Sequence, residues 1–134
     1  MAEVFVTDTH ALVWHLFNPA RLGPKATAAF REVQQGQALL IVPLVVIAET
    51  AMVVEKGRVS ATTDQFRAVI AQMQNSANYQ IRSLTLPLVL AAIQLTQLAD
   101  IFDRLIVAET QAVGAKLITV DSEISGSGIV PVVW

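Results

Sequence analysis

Cysteine is absent from the 134-residue sequence, and charged residues make up only 15% of it. Without a thiol, the chain has no disulfide, zinc–thiolate site or cysteine nucleophile. The formal net charge is -2, so no overall positive field attracts nucleic acid, and any such contact must be local. The longest apolar run, residues 38–48, is about half the length of a membrane span and contains Pro43. Residues 1–6 lack the basic and apolar stretches of a signal peptide, so we expect a cytoplasmic protein.

Hydrophobic residues, in contrast, make up 54% of the sequence, which predicts one core-rich domain over residues 1–134. Short segments rich in β-branched residues alternate with segments of helical periodicity. Strands are predicted at residues 4–7, 39–42, within 79–86, 116–120 and 130–134. Helices are predicted to begin at or just after Asp8 or Thr9, Pro24, Leu44, Ser60, Pro87 and Asp100, and residues 125–128 are predicted as a loop. Helices between successive strands favour an α/β fold with a parallel sheet covered on both faces.

Two aspartates directly follow predicted strands: Asp8 comes after the first strand, and Asp121 comes after the strand at 116–120. In parallel sheets, ligands bind beyond the carboxyl ends of the strands, so both side chains point at one edge if the two strands are neighbours. Asp103 lies in the first turn of its predicted helix, which can present its N-terminus at the same edge. Each aspartate also has a purely structural interpretation, because acids favour helix N-termini and turns.

Glu49 lies in a segment, residues 44–54, that is apolar on nearly every side of the predicted helix. We therefore expect this helix to be buried around most of its circumference. A lone buried carboxylate is costly unless it is paired or binds a cation. Glu49 is thus part of a cation site, one half of a buried ion pair with an arginine, or a carboxyl group with a raised pKa.

Carboxylates that converge at one edge would repel one another strongly without a cation. The four candidates are Asp8, Glu49, Asp103 and Asp121. Their hard oxygen ligands suit Mg²⁺ or Mn²⁺, and such a site suits hydrolysis of phosphodiester bonds. No serine–histidine–aspartate arrangement is apparent, because the only two histidines fall on the first predicted helix. His10 is expected either near the site or in a surface or packing role, and His15 in a surface or packing role.

Four segments, at residues 6–14, 100–108, 117–121 and 130–134, form a series in this order. Together they resemble the PIN-domain ribonucleases, specifically the VapC-type toxins of toxin–antitoxin pairs. The first is similar to the opening strand and first acid of that group, and the second to its aspartate–phenylalanine–aspartate–arginine helix. The third is similar to its late strand with a threonine and the fourth acid, and the last to its usual ending. The resemblance covers essentially the whole chain.

The resemblance implies a PIN fold, a three-layer α/β/α arrangement with a central parallel sheet of about four or five strands. It implies a Mg²⁺- or Mn²⁺-dependent endoribonuclease that cleaves structured RNA, with the four acids as catalytic residues and metal ligands. It also implies a homodimer, and inhibition by a cognate antitoxin whose tail lies across the acidic groove. Because clustered carboxylates favour a planar cation, we expect an arginine of the antitoxin, or alternatively a lysine, to enter the site. Arg104, beside Asp103, is expected to form an ion pair, with a phosphate contact as the alternative.

Two other interpretations remain open. A PIN-fold protein without catalytic activity would bind RNA or a partner, and a cleavage assay separates it from an enzyme. A phospho-receiver-like signalling domain is also α/β with an acidic pocket. It needs paired acids after the first strand, an aspartate after a middle strand and a lysine after a late strand. Here Asp8 stands alone, Pro43 follows the second strand and Lys116 precedes its strand.

Overall fold

A computed structural model describes residues 3–134, so residues 1 and 2, the start of the segment inspected for a signal peptide, lie outside the described range. Within that range, five strands alternate with seven α-helices and one 3₁₀ turn, Pro19–Arg21. The strands are β1 (Glu3–Thr7), β2 (Ala38–Pro43), β3 (Tyr79–Arg82), β4 (Lys116–Ile118) and β5 (Val132–Val133). The α-helices are α1 (Thr9–Phe17), α2 (Pro24–Gln34), α3 (Leu44–Glu55), α4 (Thr63–Gln74), α5 (Leu86–Ile93), α6 (Ile101–Val113) and α7 (Ser122–Ser127).

The strands form one sheet in the order β3-β2-β1-β4-β5, and all neighbours run parallel. Val6 of the central strand β1 lies opposite Ile41 of β2 on one side and Leu117 of β4 on the other. Consecutive residues are buried in both β1 (residues 5–7) and β2 (residues 40–43). Because successive side chains of a strand point to opposite faces, helices must cover both faces of the sheet. The predicted α/β/α arrangement around a parallel sheet is confirmed.

The strand order reverses at β1. The chain proceeds from β1 to β2 and β3 on one side of the sheet, and later to β4 and β5 on the other. A crevice forms at such a reversal, beyond the carboxyl ends of the strands, and ligands bind there in sheets of this kind. Thr7 of β1 lies opposite Ile118 of β4. The aspartates that follow these strands, Asp8 and Asp121, therefore share this edge, as the sequence predicted.

The helix that is buried around its circumference is α6, not α3. In α6, six consecutive residues from Leu105 to Thr110 are buried, because this helix packs against β1 and β4 on one side and against α3 and α5 on others. The predicted burial of α3 on most sides is wrong. Only Val46, Thr50 and Val54 are buried there, one residue per turn. The opposite side of α3 faces solvent, which leaves Met52 52% exposed.

Two local predictions are also wrong. Of the segment predicted as a loop, residues 125–127 belong to α7. This helix forms because the Asp121 side chain accepts a hydrogen bond from the backbone N–H of Ile124, and the buried Ile124 anchors the turn. Helix α4 is capped by Thr62 rather than Ser60. The side chains of Thr62 and Gln65 each accept a hydrogen bond from the backbone of the other residue, and this reciprocal pair fixes the start of the helix.

Among residues 3–134, no helix is both long and apolar enough to cross a membrane.

Candidate active site

Asp8 lies at the junction of β1 and α1 and is only 6% exposed. Its Oδ1 atom accepts a hydrogen bond from the backbone N–H of Ala11 at 2.9 Å and thereby caps α1. Its Oδ2 atom accepts a hydrogen bond from the hydroxyl of Thr119, which follows β4. Both oxygens are therefore held by fixed donors, one from its own helix and one from the adjacent strand.

Asp121 is tied to the same threonine. Its backbone N–H donates to Oγ1 of Thr119 at 3.0 Å, and its Oδ1 atom accepts the Ile124 N–H at 3.0 Å at the start of α7. A single hydroxyl thus connects the aspartate after β1 with the aspartate after β4. This contact fixes their relative positions at the strand reversal.

Asp103 lies in the first turn of α6, and Asp100 caps that helix. The Oδ1 atom of Asp100 accepts hydrogen bonds from the backbone N–H groups of Phe102, at 2.7 Å, and of Asp103, at 3.3 Å. The cap holds the first turn of α6 so that Asp103 faces the crevice. Asp100 therefore has the structural role of a cap, although it also lies at the crevice.

Glu49 reaches the crevice from α3. Its Oε1 atom accepts a hydrogen bond from the Thr9 hydroxyl at 2.6 Å, which joins α3 to the start of α1. The two ion pairs within residues 3–134 are Arg82–Glu109 and Lys116–Glu3, so Glu49 is not half of a buried ion pair there. The side chain is half-buried rather than enclosed, because α3 exposes one of its sides.

The structure brings the four predicted acids together. Asp8, Glu49, Asp103 and Asp121 line one open cleft of about 320 Å³ at the carboxyl edge of the sheet. We call this the acidic cleft. Asp100 also lines it, so five carboxyl groups from four separate parts of the chain face one space.

The clustering of like charges affects proton binding. Burial raises the pKa of the Asp103 carboxyl from 3.8 to about 7, and the charges of Asp100, Asp121, Asp8 and Glu49 contribute in the same direction. Burial also raises the pKa of Asp8, while the hydrogen bonds from Thr119 and Ala11 and the charge of His10 lower it. The carboxylates of the acidic cleft therefore repel one another, and a bound proton or cation would reduce this repulsion.

The donor set fits a hard divalent cation. Carboxylate oxygens suit Mg²⁺ and Mn²⁺, and each carboxylate keeps lone pairs beyond those used in the caps and hydroxyl contacts. Within the described chain, no three acidic or histidine side chains are already arranged around a point that would hold a metal ion. Binding a cation would relieve the repulsion that raises the pKa of Asp103.

Both histidines and Arg104 have defined places. His10 is exposed and lines the acidic cleft. His15 stacks on Phe30 with ring centroids 4.0 Å apart, and burial lowers its pKa to about 4; of the two roles left open for it, surface or packing, it has the packing role. The predicted ion pair of Arg104 is wrong for the described residues. Its Nε atom donates to the backbone carbonyl of Leu98 at 2.6 Å, which holds the segment before α6 against that helix.

The sequence analysis gave no role at the site to four residues that orient or line it, although the threonine of the segment at residues 117–121 was part of the resemblance. Thr9 and Thr119 orient carboxylates through their hydroxyls. For Thr9, the only local signal in the sequence was its position next to Asp8. Lys56 and Arg58 line the cleft where α3 ends. The spacing of Lys56, seven residues after Glu49, is a helical repeat that could have placed both side chains on one face.

The class of protein is defined by a parallel sheet with helices on both faces and an acidic cleft where the strand order reverses. The chain belongs to the PIN domain family, whose model matches residues 5–126 and so includes all four predicted acids. This confirms the family that the four sequence segments implied.

Solved structures similar to this chain include toxin–antitoxin proteins. VapBC2 from Rickettsia felis bound to a DNA fragment from their promoter has a TM-score of 0.70 at 16% identity, over 96% of each chain. VapC20 from Mycobacterium tuberculosis, a sarcin–ricin loop cleaving toxin, has a TM-score of 0.68 at 17% identity, over 98% of this chain and 100% of that one. A toxin–antitoxin complex from Klebsiella pneumoniae has a TM-score of 0.65 at 16% identity, over 96% and 95%. At these identities the similarity shows the shared fold. The curated proteins contain no match to this sequence.

Proposed function

We propose that this PIN domain, acting as one unit over residues 1–134, is a Mg²⁺- or Mn²⁺-dependent endoribonuclease of the cytoplasm and the toxin of a toxin–antitoxin pair. The observation that carries the proposal is the convergence of Asp8, Glu49, Asp103 and Asp121 on one cleft at the strand reversal of a PIN domain. The four acids are proposed as catalytic residues and metal ligands. The structural similarity to a toxin described as cleaving the sarcin–ricin loop supports RNA as the substrate class.

Asp8, Glu49, Asp103 and Asp121 would hold the divalent cation, which would supply positive charge at the scissile phosphate and lower the pKa of a water molecule. The chain supplies orientation. The Thr119 hydroxyl and the Ala11 N–H hold the two oxygens of Asp8, and the Thr9 hydroxyl holds Glu49. Because these donors come from secondary-structure elements already packed together, the carboxylates need little further ordering when a ligand enters.

The charge distribution favours a structured RNA over an arbitrary one. The chain carries nine Lys and Arg residues against eleven Asp and Glu residues, so it lacks the broad basic surface of a non-specific RNA binder. A substrate that presents an unpaired loop in a fixed shape can reach the cleft through a few local contacts. Such recognition is consistent with the net charge of -2.

Cleavage of a structured RNA in the presence and absence of metal tests the proposal. Activity should be lost in excess chelator and return with Mg²⁺ or Mn²⁺. Asp103→Asn should lose activity, whereas Asp64→Asn, an exposed aspartate in the first turn of α4, should keep it. Full cleavage in excess chelator would contradict the metal mechanism. RNA binding without any cleavage would favour a non-catalytic PIN-fold binding protein.

The proposed partner is a cognate antitoxin. Complexes of toxins with antitoxins are among the similar structures, and a cleft lined by carboxylates accepts a cationic side chain. We infer that an arginine of the antitoxin, or alternatively a lysine, pairs with the acids, since a guanidinium group can bond two carboxylate oxygens at once. Replacing that residue by alanine should restore ribonuclease activity more than it weakens the complex. An inhibited complex with no basic side chain near the four acids would refute this mechanism.

A further inference from the structure

One face of α3 extends the acidic cleft away from the carboxylates. Glu49, Met52, Val53 and Lys56 all line it, and their spacing of three, four and seven residues places them on a single stripe of the helix. Glu49 and Lys56 are separated by about 10 Å along the helix axis. The cleft therefore runs from an acidic end, across an apolar middle, to a basic end.

The basic end is produced by the way α3 terminates. Lys56 caps the C-terminus of α3, and the next residue, Gly57, adopts the left-handed conformation, with φ of 68°, that reverses the chain. This reversal brings Arg58 to the same cleft. Both side chains are exposed, and the ion pairs found within residues 3–134 include neither of them. Two cations without carboxylate partners in that range thus stand at the mouth of a cleft lined by five carboxyl groups.

The position of these two cations beside five carboxyl groups affects how a polyanion such as RNA can bind. The net charge of the chain is -2, and five carboxyl groups face the cleft, so an approaching phosphate chain meets repulsion. Cations at the C-terminus of a helix also stabilise that helix, but this effect does not require them to line a cleft. Among residues 3–134, Lys56 is the lysine and Arg58 the arginine that line the acidic cleft, and His10 lines it beside Asp8.

We infer that Lys56 and Arg58 are substrate-positioning residues that bind a phosphate of the RNA flanking the one held at the carboxylates. The inference rests on the proposed ribonuclease function. Met52, which is 52% exposed, and Val53 lie between the two ends and provide an apolar surface for the base of the intervening nucleotide. A base that packs on this surface is unstacked, so the cleft selects an unpaired segment of RNA over a duplex.

Binding measurements test this separately from catalysis. The probe is a fluorescein-labelled stem–loop RNA with an unpaired loop, titrated with protein that carries Asp103→Asn to prevent cleavage, in the presence of Mg²⁺. Adding Lys56→Gln and Arg58→Gln should raise Kd about tenfold or more and reduce the slope of log Kd against log salt by about one per lost phosphate contact. Lys25→Gln with Arg67→Gln makes the same change in charge at exposed positions outside the cleft and should leave Kd and slope nearly unchanged. Lys56→Arg, which keeps the charge, should retain the affinity.

The kinetic readout separates positioning from chemistry. In protein with Asp103 intact, the Lys56→Gln and Arg58→Gln pair should raise KM for the stem–loop and change kcat less than about twofold. A duplex RNA of the same length should bind weakly to every variant.

Equal losses of RNA affinity in the double variant of Lys56 and Arg58 and in the control double variant of Lys25 and Arg67 would overturn the inference, because total charge would then account for them. An unchanged RNA affinity combined with a lost affinity for an acidic partner protein would also overturn it. If no RNA is cleaved under any condition, the proposed function fails, while the Kd comparison still decides the role of Lys56 and Arg58.

Discussion

Thr119 donates a hydrogen bond from its hydroxyl to the buried carboxylate of Asp8 on the neighbouring strand. The same hydroxyl oxygen accepts the backbone N–H of Asp121, so one side chain orients two of the four acids. Because Asp8 and Thr119 are 111 positions apart in sequence, this contact reports directly on the pairing of β1 with β4.

Thr119→Val tests the contact, since valine has the shape of threonine without the hydroxyl. Asp8 loses a donor that lowers its pKa, so this pKa should rise further and the acid limb of the cleavage profile should move to higher pH. We expect activity to fall about 10- to 100-fold and the unfolding free energy to fall by about 1–3 kcal/mol. Thr119→Ser should restore most of both. A Thr119→Val enzyme with an unchanged pH profile would show that the hydroxyl has no influence on Asp8.

The raised pKa of Asp103 predicts a dependence of stability on pH in metal-free protein. Its pKa is 3.8 when unperturbed and about 7 in the fold, so between these values the folded state holds a proton that the unfolded chain has lost. The resulting stabilisation is fully present below pH 3.8 and is lost as the pH rises through about 7. Because water screens a half-exposed carboxyl group, we expect a loss of about 1–2 kcal/mol.

Thermal melting in chelator measures this loss. The Tm of the metal-free protein should fall between pH 5 and pH 8, and Asp103→Asn should reduce the fall, because asparagine does not titrate. Adding Mg²⁺ at pH 8 should raise the Tm again, since a bound cation replaces the proton as the neutralising charge. Identical pH curves for the wild type and Asp103→Asn would mean that the acids do not interact as described.

Glu49→Gln separates metal binding from structure. The substitution keeps the shape and removes a charge from the acidic cleft, and the glutamine oxygen can still accept the Thr9 hydroxyl. We expect cleavage to fall about 100-fold or more, with metal affinity falling alongside, while the metal-free Tm stays the same or rises. Glu55→Gln on the same helix, exposed and outside the cleft, should change neither quantity. A Glu49→Gln protein that melts much earlier yet cleaves normally would remove Glu49 from the site.

Within residues 3–134, the ion pair whose carboxylate is buried is Arg82–Glu109, and it predicts a stability effect. Arg82 Nε and Glu109 Oε1 are 3.3 Å apart, and the Glu109 side chain is only 4% exposed. Arg82→Met would leave this carboxylate buried without its partner. We expect a loss of about 1–3 kcal/mol, smaller than for a fully enclosed pair because water reaches the arginine. Urea unfolding measures it. Arg82→Met combined with Glu109→Leu should recover most of the loss, and Lys116→Met at the exposed Glu3 pair should have almost no effect.

Self-association is predicted from the surface of α5. Leu86, Leu90 and Ile93 are 69%, 54% and 50% exposed, and their spacing aligns them on one side of the helix. An apolar surface of this kind is typical of an interface. We expect a homodimer that buries more than about 1,200 Å² in total. Sedimentation at micromolar concentration should give a dimer for the wild type and for Gln72→Asp, an exposed control on α4, and a monomer for Leu90→Asp. A monomeric wild type would contradict this expectation.

Most of the fold could be predicted because local signals agree with it. The apolar β-branched segments became strands, and Pro24, Asp100 and Gly114 mark the helix ends expected of them. Helix α7 was missed because its serines and glycines have low helix propensity, and one aspartate cap with one buried isoleucine outweighs that preference. Propensity alone cannot register such tertiary anchors.

The candidate site could be predicted only as a set of acids. Asp8 and Asp121 follow strands, which is a local property, but the hydroxyl donors that hold the acids come from distant segments. Burial was assigned to the wrong helix because α3 and α6 are both apolar, and only the packed structure tells which one lies between neighbours. For the same reason, within the described residues the buried glutamate that forms an ion pair is Glu109 rather than Glu49.

The central position of β1 has a consequence for the order of folding. Val6 lies opposite both Ile41 and Leu117, so one edge of β1 is paired early in the chain and the other only after more than a hundred residues. Contacts between such distant segments form late, because the intervening loop must close first. We therefore expect Asp121 to join Asp8 late in folding, in a step that brings like charges together. We expect divalent cations or mild acid to accelerate refolding. An N-terminal fragment that stops before β4 would lack both Asp121 and the Thr119 hydroxyl that orients Asp8.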